Sequence, residues 1–272
     1  MLKQRVITAF MLAAVFLAVL ILAPSMVFML FIALIVSVAG WEWANLCGLI
    51  QPTTRIAYAL SVVCTAILLC YCIFSLALIP LKWVLTVNGV WWALALLWVQ
   101  SYPSSAVLWR PLAVRALMGY VVLLPTLVSL YALRVMPNGE FLVLAVVLLV
   151  AAADIGAYFA GRTFGKRKLA PNVSPGKTWE GVVGGLLAVT VISLVYALFT
   201  HHSYLLTLAV AIPAAAVSVL GDLLESMLKR QRGIKDSSQL LPGHGGVLDR
   251  IDGLLAAAPI FALALVATGW QI

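Results

Sequence analysis

Charge is what this chain has least of: Asp, Glu, Lys and Arg together make up 10% of its 272 residues, and only nine of them are acidic. With 64% hydrophobic residues and a mean hydropathy of +1.13, that scarcity excludes a soluble globular domain. Cysteine is sparse as well. Cys47, Cys64, Cys70 and Cys72 lack CxxC pairing and nearby histidines, which argues against a metal or redox centre among them. With His201 and His202 adjacent and His244 alone, zinc would find too few soft ligands. The sequence has no internal repeat, no low-complexity tract and no long polar linker.

What the sequence does have is apolar runs. Nine stretches are long enough to cross a bilayer, at about 6–22, 25–46, 55–75, 82–100, 113–135, 140–160, 180–199, 204–226 and 253–270. The expected fold is all-α, a polytopic integral membrane protein with about nine transmembrane helices. The first run is read as an uncleaved anchor, because Leu22-Ala23-Pro24 leads straight into the next. With the N-terminus inside, fifteen of the 17 basic residues fall on the cytoplasmic side and only Lys82 and Arg134 fall outside. An odd number of spans then sends the C-terminal Gly269-Trp270-Gln271-Ile272 outward.

Polar residues divide the chain unequally. Residues 1–138 hold one acid, Glu42, in Trp41-Glu42-Trp43-Ala44-Asn45, expected to face headgroup water within an interfacial tryptophan belt. This half is expected to supply packing and a lipid-facing or dimer surface. Residues 139–272 carry the chemistry. From Asp222 to Asp252 stand five of the nine acids, five of the 17 bases and His244. Asp222, Glu225, Ser226 and Lys229 share one face at helical spacing. Snorkelling accounts for Lys229 and Arg230 but not for Asp222, one turn deeper. Gly243-His244-Gly245-Gly246 can point amides at an anion, and Asp249, Arg250 and Asp252 follow. Carboxylates for Mg²⁺, with cations and amides for phosphates, are what phosphoryl or nucleotidyl transfer requires.

Upstream, Asp154 adjoins a small-residue seam of Ala153, Ala157 and Gly161; it is either ion-paired with Arg162 or Lys166, or a site carboxylate. Gly176-Lys177-Thr178 ends like a P-loop, but Pro171 stands where that motif needs its first glycine. Ser174, Lys177, Thr178 and the amides opening the next helix can bind phosphate oxygens, or the hydroxyls can cap that helix. The Lys166-Arg167-Lys168 run reads as an anchor to anionic lipid.

Ser226-Met227-Leu228-Lys229-Arg230, Lys235-Asp236, Pro242-Gly243-His244-Gly245-Gly246 and Asp249-Arg250-Ile251-Asp252 together resemble the signature of the phosphatidate cytidylyltransferases, or CDP-diacylglycerol synthases. Ser174-Pro175-Gly176-Lys177-Thr178-Trp179-Glu180-Gly181, and Asp154 with Gly161-Arg162, resemble that family's upstream elements. The resemblance covers most of 154–253 without a departure in the signature, and is far more specific than any short motif. It implies the condensation of CTP with phosphatidate to CDP-diacylglycerol and pyrophosphate, with Mg²⁺ and room for a second cation. It further implies an all-helical homodimer, in the inner membrane of a bacterium with its site facing the cytoplasm. Its partners would be CTP, phosphatidate and the bilayer, with no nucleic acid.

By the same resemblance, Asp222 and Asp249 hold the metal and Asp252 assists. Lys229, Arg230, Arg250 and Lys177 neutralise phosphates; Ser226, Lys235, Asp236 and His244 are family positions without an individual role. Asp154, Ser174, Thr178, Glu180, Gly245 and Gly246 stand with the substrates. Three rivals remain: a transporter, a noncatalytic membrane scaffold, and another CTP-using lipid enzyme such as a polyprenol kinase. A transporter predicts mid-span polar residues in several helices, whereas the acids here cluster at inner ends.

Overall fold

A computed structural model describes residues 2–269; the tail residues 270–272, and the side chains of residues 1–5 with Lys3 and Arg5 among them, lie outside the described residues. Because lipid offers no partner for backbone polar groups, each apolar run satisfies its own by forming a helix. The helices are α1 Leu2–Leu22, α2 Ser25–Leu46, α3 Pro52–Cys70 (prolonged by a π-turn over Tyr71–Ser75), α4 Leu81–Gln100 and the short α5 Ala106–Trp109. Then follow α6 Leu112–Val135, α7 Gly139–Phe164, α8 Trp179–Thr200, α9 Tyr204–Arg232 and α10 Leu248–Thr268. Among the described residues eight helices are long and apolar enough to cross a membrane, and Val6–Leu22 adds a shorter apolar helix. The expected all-α, nine-span architecture is the one observed.

The departures lie where hydropathy stops and electrostatics takes over. α9 runs to Arg232, six residues past the expected end, because Lys229, Arg230 and Arg232 suit the negative end of a helix dipole. Gly233, with φ +75°, then ends it. α10 begins at Leu248, five residues early, with Asp249 in the first turn, where a negative charge is favoured. The segment read as a loop before α8 contains a hairpin, with β1 Lys168–Ala170 antiparallel to β2 Ser174–Thr178 and Lys168 opposite Thr178.

Two close helix crossings position the polar residues. Ala153, Ala157 and Gly161 do form the expected seam, and α8 meets it with glycines. A methyl on Gly185 would come within 2.6 Å of the Ala153 carbonyl oxygen, and one on Gly181 within 3.0 Å of that of Ala157. Between α9 and α10, Gly221 packs on the Asp252 backbone, and a methyl there would stand 3.1 Å from the Ala256 Cβ. This approach brings Asp222, one residue from the crossing, and Asp252, at it, into one space.

The inner end of α2 corrects the expectation for its aromatic cluster. Trp43 is buried rather than in an interfacial belt, and its Nε1–H donates to the Arg115 carbonyl at 2.9 Å. Trp41 lies 3.4 Å beneath the Arg55 guanidinium. Glu42, expected to face water, is fully buried.

Candidate active site at the inner ends of α9 and α10

The i, i+4 spacing on α9 places Ser226 so that its hydroxyl donates to Asp222 Oδ1 at 3.1 Å. The other oxygen, Oδ2, receives the Lys177 ammonium at 2.6 Å, so β2 of the hairpin is tied to the deeper end of this polar face. Asp252 lies across the crossing and feels the charges of Asp222, Lys177 and Lys229. Asp154 of α7 feels Lys177, Asp222 and Arg250, whereas Arg162 donates instead to the Tyr158 hydroxyl at 2.9 Å. No ion pair joins Asp154 to Arg162 or Lys166 among the described residues, and the charges that act on it are those of Lys177, Asp222 and Arg250.

One turn further along α9, Lys229 binds two carboxylates, Asp249 Oδ1 at 2.7 Å and Glu225 Oε1 at 3.2 Å. Its side chain is 11% exposed and that of Glu225 is 2% exposed, so this ammonium compensates a charge that would otherwise be stranded. Apart from the Lys229 ammonium, no donor is aimed at either Glu225 oxygen among the described residues. Asp249 is the opposite case. Its Oδ2 accepts from Ser237 N–H at 2.9 Å, Ser237 Oγ–H at 2.9 Å and Gly246 N–H at 2.8 Å. Asp249 therefore folds the 233–247 loop back over the start of its own helix.

The same loop is held from the other side by residues the sequence reading set apart from the site. Glu42 Oε1 accepts from Val247 N–H at 3.0 Å and from the Ser238 hydroxyl, and Oε2 accepts from Leu248 N–H at 2.6 Å. Glu42 thus caps α10 from a different helix, satisfying amides that no residue of α10 reaches. Asn45 adds a bond from Nδ2 to the Ser237 carbonyl at 3.3 Å, and its own carbonyl accepts from Arg232 Nε at 3.2 Å. Gly246 has no room for a side chain, since a methyl would stand 2.5 Å from Glu42 Oε1. The sequence signal for Glu42 was its isolation as the one acid in 138 residues, but linear distance from Val247 hid its partners.

Other expected residues build the frame. Thr178 caps α8, its Oγ1 accepting from Gly181 N–H at 3.1 Å. Glu180 accepts from the backbone N–H of Lys166 at 3.0 Å and of Arg167 at 3.1 Å, anchoring the strand that leads into the hairpin. Arg230 donates from Nε to the Val173 carbonyl at 3.1 Å and so holds the hairpin tip, while Ser174 lies in the ladder opposite Ala170. Lys235 and Asp236 are exposed in the loop. His244 sits in a tight turn closed by Leu241 and Gly245, with Nδ1 buried and unbonded among the described residues. Gly245 has φ +85° and stands beside Asp249 and Asp236, so a side chain is excluded there.

Five carboxylates (Asp154, Asp222, Glu225, Asp249, Asp252) thus gather with three cations, Lys177, Lys229 and Arg250. Among the described residues no three acidic, cysteine or histidine side chains form a ready-made metal cage. The donor set nevertheless fits a hard cation: the ligands are carboxylate oxygens, carboxyl groups outnumber basic side chains, and ammonium groups already stand against Asp222 and Asp249 where a cation would bind.

Comparison with known proteins shows the family. The cytidylyltransferase family matches residues 3–268. The phosphatidate cytidylyltransferase of Pseudomonas aeruginosa is 50% identical over 273 residues, covering 99% of both chains. That of Haemophilus influenzae is 43% identical over 286 residues, covering 96% of this chain and 98% of its own. A Brucella melitensis protein of the same name is 48% identical over 128 residues, 47% of each chain.

Proposed function

The chain belongs to the cytidylyltransferase family, and we propose that its cluster of carboxylates and cations is where it condenses CTP with phosphatidate. A phosphate oxygen of phosphatidate bonds to the α-phosphorus of CTP as the bond from that phosphorus to the bridging oxygen of the β-phosphate breaks. CDP-diacylglycerol forms and pyrophosphate leaves. The nucleophile is already anionic near neutral pH, so no covalent serine or cysteine is needed. The demand is positioning and charge neutralisation.

The observation that carries this reading is the pair of ammonium–carboxylate contacts, Lys177 with Asp222 and Lys229 with Asp249, made by three separate segments around one crossing. Asp222 and Asp249 would hold Mg²⁺, with Asp252 assisting and a second cation accommodated by the excess of carboxylates. Bound there, Mg²⁺ would withdraw charge from the phosphate oxygens. Lys177 and Lys229, released from their carboxylates, would then meet the triphosphate, and Arg250 the lipid phosphate. Ser226 orients Asp222, Gly246 orients Asp249, and the turn at His244 and Gly245 shapes the loop between them. Thr178, Glu180, Ser174 and Arg230 set the hairpin that delivers Lys177. Lys235 and Asp236, at the loop surface, complete the proposed site.

The active face is proposed to be cytoplasmic, in a bacterial inner membrane, since fifteen of 17 basic residues then lie inside. We assign residues 139–272 the chemistry and residues 1–138 packing and a dimer surface, with Glu42 and Asn45 reaching across to the loop. The homodimer is read directly by native mass measurement of the purified protein in detergent; a monomer alone would remove it.

Purified protein supplied with labelled CTP, phosphatidate and Mg²⁺ should yield CDP-diacylglycerol and pyrophosphate, and chelation should stop the reaction until Mg²⁺ is restored. Phosphorylated lipid with CDP would mean a kinase instead. No product under varied lipid and metal conditions would sink the assignment.

A further inference from the structure

An apolar groove of about 440 Å³ opens beside the site. Ala13 of α1, Ile35 of α2, Val147 and Leu148 of α7 and Leu254 of α10 line it, and the guanidinium-bearing Arg250 stands at one end. Its volume lies within the ~300–1,000 Å³ usual for small-ligand cavities. The groove also has a direction. Arg250 belongs to the first turn of α10 at the inner surface, whereas Ile35, Val147 and Leu148 come from the middle turns of α2 and α7. It therefore runs from the polar site toward the bilayer centre, the course of a lipid chain whose headgroup stays at the surface.

The mouth is suited to an anion. Arg250 is exposed, makes no ion pair among the described residues, and acts on Asp154, which also feels Lys177 and Asp222. A second apolar cavity, of about 240 Å³ among α7, α8, α9 and α10, has no charged residue in its lining. The coincidence of an alkyl-lined furrow, a cation at its mouth and the reacting cluster beside that cation singles out the first.

We infer that this groove is a binding subsite for one acyl chain of phosphatidate, with the lipid phosphate at Arg250. The inference rests on the reaction proposed above and adds where its lipid substrate is held.

Ala13 is exposed and lines the groove; Ala14, its neighbour on α1, is exposed and does not. Ala13→Trp should fill the furrow and raise the apparent KM for a dioleoyl phosphatidate by on the order of tenfold, through lost burial of several methylenes. KM for CTP and turnover of a dihexanoyl phosphatidate should stay unchanged, as should every parameter of Ala14→Trp. Equal effects on long and short lipids, or equal effects of the two variants, would overturn the subsite. A phosphatidate carrying a diazirine on its chain, photolysed on the unmodified protein, reads the same question without a mutation. Label within 12–17, 32–36 and 144–148 supports the groove, and label confined to other helices removes it. Absence of product from either lipid with the unmodified protein would instead overturn the reaction itself.

Discussion

Asp222 keeps 33% of its side chain exposed and holds one ammonium and one hydroxyl, whereas Asp249 is 5% exposed and accepts four hydrogen bonds. The two are therefore separable by mutation. Asp222→Asn should lower turnover about a hundredfold or more, since it removes a carboxylate proposed to hold the cation that withdraws charge from the phosphates. Its melting temperature in detergent should barely move, because partly exposed pairs contribute ~0–1 kcal/mol. Asp249→Asn should lose both activity and several degrees of stability, since the amide nitrogen must face either Lys229 or three loop donors. Glu42→Ala should behave like the second case although Glu42 stands outside the group of carboxylates around Lys177 and Lys229: the amides of Val247 and Leu248 and a serine lose their acceptor, at about 1–3 kcal/mol for a buried unsatisfied group. Thermal unfolding and steady-state rates measured on the same preparations check all three. Of these residues Asp249 stands in the signature, and Asp222 is singled out by its spacing from Ser226 and Lys229. Glu42 is not legible in the sequence, because a carboxylate between two tryptophans reads equally well as solvated, and only packing of α2 against the loop before α10 decides otherwise.

At the level of elements, hydropathy located each transmembrane helix to within a few residues except where polar side chains continue the backbone helix. The ends of α9 and α10 escaped it because Lys229, Arg232 and Asp249 are retained there by dipole and capping effects rather than by lipid. The hairpin escaped for a different reason: its strands are three and five residues long, with a proline and a glycine in the second, and their pairing depends on Glu180 and Arg230 holding both ends. Thr178 joins hairpin to helix. Thr178→Ala should cost about 1 kcal/mol of stability, with Thr178→Ser close to unchanged. Because Lys177 is the residue before the cap, the alanine variant should also raise KM for CTP. The seam of α7 and α8 gives a sharper structural test. Gly185→Leu cannot be accommodated against the Ala153 carbonyl and should destabilise the folded protein by more than the cap variant does, read as loss of the monodisperse peak in detergent.

For the whole molecule, α9 is the feature with the widest consequence. At 1.5 Å per residue its 29 residues span about 44 Å, against a hydrocarbon thickness of ~30 Å. With its apolar start at the opposite interface, that excess would carry Lys229 and its two carboxylates to the level of lipid phosphates, so phosphatidate would not need to leave its leaflet to react. CTP and pyrophosphate would then be exchanged with bulk solvent, whereas the lipid would behave as a two-dimensional reagent. The rate should consequently follow the mole fraction of phosphatidate in a mixed micelle and not its bulk molarity. Adding inert detergent at fixed total phosphatidate should slow the enzyme in proportion, while the same dilution leaves KM for CTP untouched.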